Sequence, residues 1–417
     1  MLDKISRPKS NQSYYIFEKV KQKQDMVSII ITLITIHSRA GIAAAFIGKF
    51  NKSLEIIERA NKNYLPDPIS YARVGIMIGR STTHTYTGQH NAILKDMSEA
   101  KKIFGLYVKF PAEKEFWEIY CVHFVYWLVG QSYKGEKINE HYFKEGLSVA
   151  EEHDLFTMKA YLYHCVSLAD CYAGRFNKLR DSSLINFHNL SVKMGQNDVD
   201  MVLIHLEWAQ AYLERGELEE AEKYANQGLN IVERIDHVYA QSFIEIILGR
   251  IYFAKGKVKE SIEILSSVID ICAKMNLEQI HVAQIYLSHI YLAAGDIQKA
   301  EELANKAHER VVEEIHENVY HQMLSYRLLG LIALNKKEYE NSEELFNKSI
   351  AIANENDNII QEGQTFLAKA KLYMELTHYT KAEEQTSMAE KLFRDIDNPA
   401  LLKEVEILNA AIKEQHF

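Results

Sequence analysis

HLEWAQAYLERGELEEAEKYANQGLNIVER, residues 205–234, reads as two helices joined by a tight turn. With Leu203 just before it, the first half places Leu206, Ala209, Tyr212 and Leu213 on one stripe, the three-to-four spacing of a buried helix face. Gly216 then supplies the permissive backbone needed to leave that helix. The second half repeats the stripe with Leu218, Ala221, Ala225, Gly228 and Leu229, and its small residues let two helix axes approach closely. Neither helix can bury its face alone, so neighbouring units must complete the core. The same grammar recurs in AAAFIGKFNKSLEIIERA (43–60) and YLAAGDIQKAEELANKA (291–307). A ladder of turn positions, Gly48, Gly88, Gly130, Gly174, Gly216, Gly256 and Gly295, continued by Lys337 and Thr377, recurs about every 40 residues. Such a period predicts an all-α solenoid of stacked helical hairpins.

The 417 residues therefore need not divide into globular domains, because a solenoid grows by adding units to one core. Hydrophobic residues make up 47% and the net charge is −9, and no basic run exceeds EKVKQKQ (18–24). That argues against nucleic acid as the partner, since phosphate neutralisation needs clustered Lys and Arg. No proline lies between residues 112 and 398, as uninterrupted helices require. The four cysteines lack CxxC spacing and read as buried thiols. The apolar stretch VSIIITLITIHSRAGIAAAFIG (27–48) carries His37, Ser38 and Arg39 at its middle, so it reads as a hairpin helix rather than a membrane span. The N-terminus lacks the apolar core of a secretion signal, and the expected location is cytoplasmic.

Chemistry is sparse. There is no GxGxxG, no GxSxG, no HExxH and no EF-hand loop, and GQSYKGE (130–136) lacks the Lys-Ser/Thr that completes a phosphate-binding loop. No two of the 17 histidines stand three or four apart, the spacing that puts two imidazoles on one helix face. The expectation is a non-catalytic protein without metal or cofactor.

The offsets of the units resemble those of the tetratricopeptide repeat: a small residue, an aromatic three later, a turn Gly four beyond and Ala five beyond that. Ala209, Tyr212, Gly216 and Ala221 match them, as do Ser288, Tyr291, Gly295 and Ala300. Gly249, Tyr252, Gly256 and Ser261 hold the frame, as do Gly330, Ala333, Lys337 and Ser342, then Ala370, Tyr373, Thr377 and Ala382. The match is strong over 200–395 and degenerate over 26–199, after an N-terminal extension of residues 1–25. Residues 396–417 read as a capping helix, with Asn398 as N-cap and Pro399 in the first turn. NYLPDPIS (63–70) and Pro111 are the expected places for a break. The resemblance implies a right-handed superhelix of about nine hairpins with a concave binding groove. In repeat length the chain is also similar to the helical-repeat sensor domain of MalT-type regulators of the large ATP-binding LuxR class. Those regulators add an ATPase module and a helix-turn-helix, neither visible in this sequence.

In such arrays the residue after the small position of each first helix faces the groove. That column reads Asp170, Gln210, Arg250, His289, Leu331 and Lys371. Arg250 and Lys371 are placed to hold a carboxylate or phosphate, and His289 to add pH dependence. The column of Leu213, Phe253, Leu292, Leu334 and Met374 supplies apolar grip if it faces the groove and core if it turns inward. Clamping the acidic tails of heat-shock chaperones is disfavoured, since Leu206 and Ile246 stand one turn before Gln210 and Arg250. The expected partner is a protein or peptide held in the groove. A small signalling ligand bound by a MalT-like sensor is the alternative, and neither nucleic acid nor membrane is expected.

Overall fold

A computed structural model describes residues 50–64, 71–107, 114–175, 183–312 and 318–416. Among these residues there are helices and no strands. Helix α1 (Phe50–Tyr64) is followed by the hairpins α2 (Tyr71–Thr87) with α3 (His90–Tyr107), α4 (Lys114–Lys134) with α5 (Glu140–Glu152), and α6 (Phe156–Ala173) with α7 (Leu184–Lys193). Next come α8 (Asp198–Glu214) with α9 (Leu218–Ile235), α10 (Val238–Ala254) with α11 (Val258–Met275), and α12 (Gln279–Ala293) with α13 (Ile297–Val312). The hairpins α14 (Val319–Asn335) with α15 (Tyr339–Glu355) and α16 (Ile359–Glu375) with α17 (Tyr379–Asp395) precede the terminal helix α18 (Pro399–His416). The chain is an all-α helical-repeat solenoid. The extension 1–25, the stretch 27–48 with Gly48, and the expected breaks at 65–70 and Pro111 lie outside the described residues.

Composition sorts the helices into two layers. The even-numbered helices line the inside of the superhelix, and some of them, such as VYAQSFIEIILGRIYFA in α10, are apolar on nearly all sides. Their odd-numbered partners bury one stripe each, in α11 Ser261, Leu265, Val268 and Cys272, and carry charge elsewhere. Small residues set the spacing within a hairpin. Ser261 Oγ donates to the Gly249 carbonyl at 2.6 Å and Ser342 Oγ to the Gly330 carbonyl at 2.8 Å. A Cβ on Gly330 would stand 2.6 Å from Cε1 of Phe346, so only glycine admits that ring. All four cysteines are buried free thiols, and no helix among the described residues is long and apolar enough to cross a membrane.

Within each hairpin the turn needs a left-handed residue. Gly88, Gly135, Gly174, Gly216, Gly256 and Gly295 take φ between 73° and 83°, and Lys337 and Thr377 do so at 62° and 58°. One rung of the expected ladder is corrected. Gly130 lies inside α4, where a Cβ would stand 3.1 Å from Leu94 Cδ2, and the turn falls at Gly135. Thr377 is exposed and β-branched at a conformation that such residues resist. Thr377→Gly is therefore expected to stabilise the protein by about 1 kcal/mol, the relief of backbone strain less the entropy of glycine. Urea unfolding measures it, and a lowered midpoint would show that the threonine side chain contributes a contact.

Successive superhelical turns touch each other, through a repeating asparagine device. Asn318, Asn358 and Asn398 cap α14, α16 and α18, each Oδ1 accepting the amide three residues on at 2.9–3.2 Å. Their Nδ2 groups donate to the Tyr133, Tyr172 and Glu214 carbonyls, 185, 186 and 184 residues earlier, at the C-terminal ends of α4, α6 and α8. A single side chain thus satisfies both an orphan donor of one helix and an orphan acceptor of another. At the equivalent place before α12 stands Glu278, which accepts from His90 Nε2 at 3.0 Å and from the Tyr239 hydroxyl at 2.8 Å. The turn glycines Gly135, Gly174 and Gly216 pack against Tyr320, Ile360 and Ala400 of the following turn. The described repeats therefore form one continuous superhelix. Helix α18 packs on the last hairpin and buries Leu401, Val405 and Ile412.

Candidate functional site

The inner helices enclose a lumen that a narrow neck divides into two chambers. The first, of about 380 Å³, is walled by α2, α4, α6, α8 and α10. The second, of about 630 Å³, is walled by α8, α10, α12, α14, α16 and α18. Between them Tyr172, Gln210, Phe243, Arg250, Tyr286 and Tyr320 leave only about 40 Å³. Rings and charge close this neck: the Tyr172 and Tyr320 centroids are 4.7 Å apart, and the Arg250 guanidinium lies 4.4 Å over Tyr286.

The second chamber holds most of the lumen's charge. Arg250 Nη2 pairs with Glu214 Oε1, and its Nη1 donates to Gln210 Oε1 at 3.1 Å. Burial alone would lower the Arg250 pKa, but the Glu214 carboxylate more than offsets it and the pKa is raised. Arg327 donates to the Gln361 carboxamide at 2.6 Å, and burial lowers its pKa. Lys371 from α16 and Glu404 from α18 complete the charged set. Crowding by the walls raises the Glu404 carboxyl against the opposing pull of Lys371 and Arg327. The floor is apolar: Leu213, Phe253, Leu331 and Leu367. The arrangement can hold a chain that carries both charge and hydrocarbon.

Several expected site residues converge here and others do not. Arg250, His289, Leu331 and Lys371 line the second chamber with Leu213 and Phe253, and Gln210 reaches the neck. Asp170 does not belong to it. That carboxylate is buried against Arg175 Nε at 2.8 Å, and Arg175 donates across to the Asp357 carbonyl, so Asp170 belongs to the contact between turns. Leu292 packs on the core of α12–α15, and Leu334 and Met374 lie on core clusters; none of the three lines the second chamber. Arg250 is not free to take a ligand anion, being already paired. His289 is not a sensor near neutrality: desolvation by the walls, with the cations Arg327, Lys371 and Arg250, lowers its pKa to about 4. Three further buried histidines are held by protein groups, His90 by Glu278, His164 by Glu207 and His281 by His321.

The fold is similar to that of a Rap protein solved in complex with competence and sporulation factor, at a TM-score of 0.60 and 12% identity, covering 87% of this chain and 98% of that one. NprR in complex with its cognate peptide NprX is similar at 0.54 and 12%, covering 83% and 98%. Aspartyl phosphate phosphatase F from Bacillus subtilis gives 0.50 and 11%, covering 86% and 93%. No curated protein matches the chain in sequence. Residues 325–356 match the family model of the tetratricopeptide repeat. The chain is a tetratricopeptide-like helical-repeat protein.

In this repeat protein the residues that the groove column missed stand in other registers of the same helices. Arg327 interrupts the column Leu206, Ile246, Ile285 and Leu367, one helical turn before the groove column, and a lone arginine in an aliphatic column was its visible mark. Gln361 and Gln364 lie further up α16, and Glu404 lies on α18, which follows the last matched hairpin.

Proposed function

We propose that this repeat protein is a non-catalytic binding module that holds a short peptide in the second chamber. The observation that carries the reading is the pair of cations, Lys371 and Arg327, that face the lumen with no carboxylate in ion-pair contact among the described residues. Arg250 and Glu214, by contrast, neutralise each other and build the wall. Lys371 and Arg327 suit an acidic side chain or the C-terminal carboxylate of a peptide. Glu404 suits a cationic group of the same ligand, and Phe253, Leu331 and Leu367 suit its apolar side chains. A preformed chamber limits the ordering cost of association. A solved protein of similar fold supports a peptide ligand, NprR in complex with its cognate peptide NprX, and a Rap protein of similar fold is complexed with competence and sporulation factor.

The test is affinity selection of a pool of random pentapeptides on the immobilised protein, followed by titration of the enriched sequences. Lys371 is exposed to the lumen, so Lys371→Glu leaves the helices intact. It is expected to weaken the selected peptides at least tenfold, as reversing a paired charge does (about 1.4 kcal/mol or more). Failure to enrich any peptide, or equal affinity in the variant, would contradict the reading.

A further inference from the structure

We propose that the first chamber is a second binding site, built for a neutral and predominantly apolar small molecule. At about 380 Å³ it falls within the size range of small-ligand pockets. Its wall is hydrocarbon and ring: Val122, Val125, Val129, Met158, Leu203 and Phe243 are representative.

Most of the polar groups that reach this wall are committed to the protein, and the hydroxyls of Tyr133 and Tyr172 are the exceptions. The Tyr126 and Thr82 hydroxyls bond each other at 2.6 Å, and Tyr161 donates to Asp200 at 3.1 Å. Tyr239 donates to Glu278 at 2.8 Å, and Thr85 donates to the Ser81 carbonyl at 3.0 Å. His164 is held by Glu207, whose second oxygen accepts from Ser167. His237 accepts the Ala240 amide at 3.2 Å, and burial lowers its pKa. A charged or strongly hydrogen-bonding ligand would lose its hydration here and recover little. A hydrocarbon-like ligand loses nothing polar and gains burial. The two chambers thus differ in that only the second offers charge to a ligand, and Arg250 over Tyr286 lies between them. A fused aromatic hydrocarbon system fits the description.

The probe is N-phenyl-1-naphthylamine, neutral and fluorescent when removed from water, titrated into the full chain. Saturable one-to-one binding is expected. Val129→Trp and Leu203→Trp fill the chamber from α4 and α8, and each is expected to weaken the probe at least tenfold while Lys371→Glu changes it less than twofold. Circular-dichroism melting accompanies each variant, so that if one filling impairs the fold the other decides. Absence of saturable binding would overturn the proposal, as would affinity unchanged by a well-folded filling. A loss of probe binding in Lys371→Glu would place the probe in the second chamber and overturn it equally. The peptide titration stands apart from all three outcomes.

Discussion

Arg250→Glu is expected to destabilise the protein by about 3–5 kcal/mol, the cost of leaving a buried charge without its partner. The substitution removes the guanidinium that links Glu214 and Gln210 on α8 to Tyr286 on α12, and it sets a second carboxylate beside Glu214. Three inner helices lose their common tie at the neck. Arg250→Met tests the same contact without adding like-charge repulsion, and it is expected to cost less. Arg250→Met combined with Glu214→Leu is expected to recover most of the loss, because a buried pair replaced as a unit leaves no orphan charge. Urea unfolding of the three variants checks the series. An Arg250→Glu midpoint close to that of the parent would show that the pair is solvated and the neck open.

Gly216→Val and Gly256→Val form the second test, and their difference matters more than either value. Both glycines sit at φ +76°, so valine at either strains the backbone by about 1–3 kcal/mol. A Cβ at Gly216 would also stand 2.7 Å from the Ala400 Cβ of the next superhelical turn, whereas nothing lies within 4 Å at Gly256. Overpacking at Gly216 is expected to add about 1–3 kcal/mol. Equal losses at the two positions would mean that the turns do not pack on each other.

The fold was legible because the repeats write the same local physics many times. A turn that needs positive φ selects Gly at 174, 216, 256 and 295, and the period carries Lys337 and Thr377 into the same conformation without glycine. Gly130 misled because glycine has two uses: there it admits Leu94 into a helix face, while the turn waits at Gly135. Between hairpins the chain again turns left-handed, but at Asp154, Asp236, Asn276 and Asp357, residues too common on the surface to announce it. The asparagine bonds between superhelical turns join residues 184–186 apart, and no local pattern encodes such a distance. Asn318, Asn358 and Asn398 recur at one register, yet only their capping role is local enough to read in advance.

The site was half legible for the same reason. One column of side chains placed Arg250, His289, Leu331 and Lys371 in the lumen, whereas Asp170 of that column is held by Arg175 and Leu292 of the apolar column packs on the core. Whether a lumen arginine is free depends on what stands across the space. Arg250 meets Glu214 and is spent on structure, while Arg327 meets a carboxamide and is left, in the proposed reading, to pair with a ligand.

The most direct measurement is photo-crosslinking of a selected peptide to the protein carrying p-benzoylphenylalanine in place of Phe253, which lines the second chamber, or of Phe156, which is 56% exposed and lines neither chamber. A covalent adduct at position 253 and none at position 156 is expected, with the adduct lost in Lys371→Glu. An adduct at 156, or none at 253 from a peptide that binds, would contradict binding within the lumen.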